Sequence, residues 1–134
     1  MTRSTLFVYQ WVTGLSDTLT GILLYLAPAF TLRLMGVSAG DSEPYISYIG
    51  AFVLAVGLSG LYGAYLVAQY AAPERLEVVW LLTAFSRSAV AIYVLKAVLV
   101  STLEPAWLMV AAFDGACVLI QAIGLRRSWI ANAY

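Results

Sequence analysis

The sequence predicts an all-α integral membrane protein, a four-helix antiparallel bundle with a short interfacial helix after the first span. Three observations carry this. Of 134 residues, 63% are hydrophobic and 10% charged, against roughly 45–50% and 25% in soluble domains. The mean hydropathy is +0.89. Four apolar stretches approach the about 20 residues that a helix needs to cross a bilayer core, and prolines punctuate the gaps between them.

The first span covers Leu6–Ala27 and stops at Pro28. The stretch Ala29–Gly36 is too short to cross. Arg33 among Phe30, Leu32 and Leu34 gives it the character of an interfacial half-helix, stopped by Gly36. After the polar loop Val37–Ser42, Glu43-Pro44 opens the second span, Tyr45–Tyr70. Ala72-Pro73-Glu74 separates it from the third, Leu76–Val100, and Glu104-Pro105 starts the fourth, Pro105–Leu125. Proline costs little at a helix start, where its missing N–H has no partner to lose. Connections this tight make consecutive helices antiparallel neighbours. The whole chain, 1–134, is a single transmembrane domain.

Four spans put both termini and the middle loop on one side. That side carries Arg3, Arg75, Arg126 and Arg127, while the other has Arg33 and, near its edge, Lys96. The positive-inside rule then places both termini in the cytoplasm. Arg3, an apolar run and Ala27-Pro28-Ala29 imitate a secretory signal. The run is too long for one and Asp17 interrupts it, so the first span is expected to be retained. Trp11, Trp80, Trp107 and Trp129, with Tyr45, Tyr70 and Tyr134, fall mostly toward span ends and read as interface anchors.

Composition also removes functions. Seven basic and seven acidic side chains balance, which leaves no basic surface for nucleic acid. Histidine is absent and there is one cysteine. The commonest metal and haem ligand, a disulfide and a CxxC motif are thereby excluded. No metal or cofactor site is expected.

The informative residues stand in the wrong solvent. Asp17, Arg87 and Asp114 lie near the middles of the first, third and fourth spans. Each costs about 2.5–3.5 kcal/mol on insertion scales if unpaired. The cheaper arrangement turns all three inward, with the planar Arg87 guanidinium serving both carboxyl groups. Two acids and one guanidinium sum to −1, and a low-dielectric site favours retention of one proton. These three are the candidate catalytic residues.

Helical spacing extends the patch. Gln10, Gly14, Asp17 and Gly21 share an arc of the first span, with Thr13 and Thr20 at its edge; Trp80, Thr83 and Arg87 share one of the third, and Asp114, Cys117 and Gln121 one of the fourth. The second span offers a stripe of Tyr48, Ala55, Ser59 and Tyr62. Gln10, Tyr48, Ser59, Tyr62, Trp80, Thr83, Cys117 and Gln121 are thus the expected ligand-binding residues around the charges. Cys117, with no histidine to activate it, reads as a small core residue. Gly50, Gly57, Gly60, Gly63 and Ala64 allow close helix approach.

The stretches Tyr48–Gly63 (YIGAFVLAVGLSGLYG), Phe85–Leu95 (FSRSAVAIYVL) and Phe113–Leu125 (FDGACVLIQAIGL) give the chain a likeness across most of its length. It resembles the DoxX-like family of small four-helix membrane proteins. The resemblance implies a four-helix bundle. Because some members look like subunits of quinone-linked redox complexes, it also implies that partner role as one function.

Two functions follow. In the first, the protein binds or converts a lipophilic small molecule. Asp–Arg–Asp is competent for water-assisted epoxide opening, with one carboxylate activating water and the other acid donating to the leaving oxygen; isomerisation or cyclisation would need the same groups. A similar trio occurs in the soluble limonene-epoxide hydrolase family, an analogy of site chemistry on an unrelated fold. In the second, the cluster only fixes helix register, and the chain is a non-catalytic subunit of a membrane redox complex. Lipid, a lipophilic ligand, and either partner subunits or further copies of the chain are the expected partners.

Overall fold

The computed structural model describes residues 1–38 and 43–133. Residues 39–42 of the expected polar loop, and Tyr134, lie outside the described residues. The described chain is helical throughout: α1 (Arg3–Leu26), α2 (Pro28–Leu34), α3 (Glu43–Ala68), α4 (Pro73–Leu99) and α5 (Leu108–Arg126), with 3₁₀ turns at Pro105–Trp107 and Ala131–Ala133. Helices α1, α3, α4 and α5 cover the four expected apolar stretches to within a few residues, and α2 covers most of the short stretch after the first. Pro28 and Pro73 occupy first-turn positions of α2 and α4, and Pro105 opens its 3₁₀ turn. Thr2 caps α1 by accepting from the Thr5 N–H.

The helix ends share one device. Gly36, Tyr70, Ser101 and Ser128 each take a positive φ, of 72°, 53°, 58° and 51°. The following N–H reaches back across the turn in each case, as in Val37→Leu32, Ala71→Leu66, Thr102→Ala97 and Trp129→Gly124. This left-handed stop suits glycine best, yet three of the four residues carry side chains.

Packing organises the helices into two close pairs. α1 and α3 run in opposite directions: Gly14 abuts Gly60 and Leu61, while Gly21 abuts Leu54. A Cβ placed on Gly14 would lie 2.6 Å from the Leu61 backbone nitrogen, so only glycine permits this approach. α5 runs against α4, with Gln121 beside Thr83 and Asp114 beside Arg87. α3 also packs on α4, whereas the backbones of α1 and α5 scarcely meet.

Apolar clusters close the two ends. Leu6, Val67, Leu76, Trp80 and Ile130 form one, with Met1 and Ala133 against it. Both described chain ends therefore lie at the same end of the molecule. Leu24, Leu32 and Val37 form the other, with Trp107 packed on it. Arg3 reinforces the first end by donating to the Val67 carbonyl at 2.6 and 3.1 Å and lying over the Tyr70 ring. These bonds satisfy C-terminal carbonyls of α3, whose last turn has no basic residue of its own.

Between these ends the usual order of a soluble protein is inverted. Gln10, Asp17, Thr83, Arg87, Asp114 and Gln121 are buried, while most large aliphatic and aromatic side chains of the long helices are exposed. Among the described residues, three helical segments are long and apolar enough to cross a membrane: Pro44–Ala68, Pro73–Leu99 and Pro105–Arg126. The four spans expected from sequence thus reduce to three on this measure. α1 is of comparable length, but Gln10, Asp17 and its hydroxyl residues dilute its apolar run.

Candidate functional site

The site begins with three positions at one level of three helices. Heptad-like spacing buries Gln10, Gly14, Asp17 and Gly21 along one face of α1. The same repeat buries Trp80, Thr83 and Arg87 on α4, and Asp114, Cys117 and Gln121 on α5. Arg87 projects between the pairs. Its Nη2 donates to Asp17 Oδ2 and its Nη1 to Asp114 Oδ1, the latter at 2.5 Å. One guanidinium thus bridges α1 to α5 through its two arms, the fork geometry that arginine alone provides. The Phe113 ring lies 5.4 Å from the guanidinium carbon, a distance at which its face attracts a cation.

Each carboxylate commits one oxygen to Arg87. Among the described residues the other oxygen of each has no protein partner. The acids also keep 11% and 13% of their side-chain surface open, against 6% for Arg87. The cation is enclosed while an acceptor on either side of it stays reachable. That arrangement can receive a water or a polar ligand atom at each acid.

A second polar layer stands seven residues away on each helix, about 10 Å along the axes. Trp80 is fully buried, and its indole N–H donates to Gln10 Oε1 at 3.0 Å; Gln10 Nε2 donates to the Gly60 carbonyl at 3.3 Å. Gly63 leaves the space that the Gln10 amide fills. Trp80 is therefore a core residue and not an interface anchor. Gln121 Nε2 donates to Thr83 Oγ1 at 2.9 Å, and Thr83 donates to the Val79 carbonyl. Gln121 Oε1 is buried with no partner.

The structure thus gathers Asp17, Arg87 and Asp114 into one cluster, with Gln10, Trp80, Thr83, Cys117 and Gln121 in the same polar interior. It does not bring in the second-span stripe. Tyr48 and Tyr62 are 64% and 50% exposed, Ser59 is exposed, and Ser59 bonds only to the Ala55 carbonyl of its own helix. Tyr48 instead packs edge-on against Phe52, and Tyr62 stacks on Tyr65. The glycine face of α3 takes the inward position, because its backbone-to-backbone approach requires small residues.

Tyr9 was not among the residues expected at the site. Its hydroxyl donates to the Cys117 carbonyl at 3.5 Å and its ring packs edge-on against Trp80. The signal was its position beside Gln10, on the flank of α1 that also carries Thr13.

No family model matches the chain, and no curated protein or solved structure matches it either. The site's chemistry therefore rests on its own geometry. Two grooves, of about 320 and 310 Å³, lie elsewhere. Arg3, Phe7 and Val67 help to line the first, and Ser88, Ala91, Gly115 and Val118 the second. Neither is lined by a member of the charged trio.

Proposed function

We propose that this chain is a four-helix antiparallel membrane bundle, with both termini cytoplasmic, that binds a lipophilic small molecule at its Asp17–Arg87–Asp114 centre and acts on it by acid–base chemistry. The membrane reading is supported by the inverted order of the molecule, in which ionised groups are buried and apolar side chains face out. α1 joins the three apolar helices as the fourth span. Gln10 and Asp17 turn inward while Val8, Trp11, Val12, Leu19 and Leu26 face out, so its low mean hydropathy understates what lipid would meet. The arginines near the terminal end support the orientation. The ordering of motifs supports a place beside DoxX-like proteins.

The single observation that carries the chemistry is the shared guanidinium with one free, reachable oxygen on each acid. One carboxylate can take a proton from water while the other, as the acid, gives one to an opening epoxide oxygen. Arg87 holds the two at a fixed separation. Isomerisation or cyclisation of a polyene would use the same pair. The test is a panel of small lipophilic epoxides against the protein in bilayer discs, read first as thermal stabilisation and then by product analysis. Stabilisation followed by diol formation supports the reading, and absence of both across the panel opposes it.

A second reading has its own observation. Neither groove reaches the trio, as fits a closed ionic lock in a non-catalytic subunit of a membrane redox complex, the quinone-linked role that the resemblance implies. Co-purification of other membrane subunits in mild detergent favours it, and a stable isolated homo-oligomer counts against it.

A further inference from the structure

We propose that the seam between α1 and α5 is a lateral entry from the bilayer to the Asp17 and Asp114 carboxylates, used by a lipophilic molecule with a small hydrogen-bonding end such as an epoxide, alcohol or carbonyl. The inference rests on the membrane reading above and is independent of which reaction follows.

The helix packing is thinnest on this side. α1 is held by α3, α3 also packs on α4, and α4 is held by α5, but α1 and α5 barely approach. Among the described residues the one hydrogen bond joining them is Tyr9 to Cys117, at 3.5 Å. Asp17 on α1 and Asp114 on α5 are joined across this seam by Arg87 of α4. Each acid keeps a fraction of its side-chain surface open, 11% for Asp17 and 13% for Asp114, which an approach from the seam can use. Phe113, 41% exposed and against the guanidinium, lies on the same flank of α5 as Cys117.

Helical spacing sorts the α1 side. Gly14, Thr18 and Gly21 form the flank pressed on α3. The opposite flank carries Tyr9, Thr13, Ser16 and Thr20. Ser16 is exposed on this flank and Thr13 and Thr20 are half-buried, and their hydroxyl oxygens can hydrogen-bond the polar end of an entering molecule. Apolar clusters pack both ends of the interior, and a molecule dissolved in the bilayer would reach the acids from the side.

A separate observation lies one polar layer away from the acids. Gln121 is 3% exposed, and its Oε1 is left without a partner in the polar interior that Asp114 shares. Exchanging the two ends of its amide does not help: Thr83 can pair with only one of them, and the other stays unpaired. An unpaired buried amide end costs about 1–3 kcal/mol. A water or ligand atom in this interior would remove that cost.

The test uses a lipophilic carbodiimide, dicyclohexylcarbodiimide, on the full chain in bilayer discs at mildly acidic pH. A protonated carboxyl adds its O–H across the reagent's C=N bond, and the O-acylisourea rearranges to a stable N-acylurea that mass spectrometry locates. The expected result is an adduct on Asp17 or Asp114, and none from a water-soluble cationic carbodiimide. Ser16→Trp, at an exposed seam position, should lower the adduct several-fold, and Ser59→Trp, on the outer face of α3, should not. Thr20→Phe, one turn along the seam, serves as a second block should Ser16→Trp fold poorly. No adduct at either acid, or one that both seam variants leave unchanged, overturns the proposal. Seam-dependent labelling without turnover of any epoxide keeps the entry and removes the acid–base reading. Turnover that the seam variants do not slow keeps that reading and removes the entry.

Discussion

Arg87 is the residue on which the interior depends. It pairs with two buried acids at once, and each of its arms joins a different helix to α4. Arg87→Ala leaves both carboxylates without their cation, and removal of one partner of a buried ion pair typically costs about 3–5 kcal/mol. The expected outcome is a large fall in thermal stability in detergent, whatever the function. An Arg87→Ala protein as stable as the native one would mean that the acids do not need their partner. The charges were legible in the sequence because an ionisable residue inside an apolar run has few places to go. Three at one depth on three predicted helices fix both the direction they face and their mutual contact. Tyr9 was not legible in this way. A tyrosine near a span end has a ready explanation as an interface anchor, and only the length of its side chain takes its hydroxyl to the Cys117 carbonyl.

The helices were legible from apolar run lengths and prolines, but the face that α3 turns inward was not. Its two stripes, Tyr48–Ala55–Ser59–Tyr62 and Gly50–Gly57–Ala64, have the same heptad-like spacing. The polar stripe looked like the partner of a polar site. In lipid, however, no hydrophobic force sorts the faces, and close backbone packing decides. That force predicts opposite outcomes for one substitution at two places. Gly14→Ala should destabilise by about 1–3 kcal/mol, the usual cost of overpacking, because its new methyl meets the α3 backbone. Gly115→Ala meets nothing within 4 Å and should be neutral or stabilising by up to about 1 kcal/mol, since alanine is the better helix residue. Thermal unfolding of the two variants side by side checks the sign difference. The helix ends give another. Ser128 holds a φ of 51°, which glycine adopts without a Cβ penalty. Ser128→Gly should raise stability by up to about 1–2 kcal/mol, the cost of the left-handed region for other residues. No gain there would mean that the side chain contributes something that its lost strain does not outweigh.

At the level of the molecule, two close helix pairs enclose polar side chains from three helices, and apolar clusters cap both ends. The described chain ends meet at one of those caps, so a protein crossing the membrane with α1, α3, α4 and α5 must hold both termini on one side. Thr2→Cys and Ala39→Cys, labelled with a membrane-impermeant maleimide, should react from opposite sides. Labelling of both from the same side would remove α1 as a span. The role proposed for the trio is that of an acid–base site rather than a lock. It is tested most directly by the rate of diol formation from a lipophilic epoxide in bilayer discs, compared among the native chain, Asp17→Asn and Asp114→Asn. Both variants keep the shape of the side chain and remove its titrating proton. Both are expected to fold near normally and each to lose about 10²–10⁴-fold in rate, the usual contribution of a positioned proton-transfer group. A native chain that forms no diol, or either variant turning over at the native rate, would contradict it.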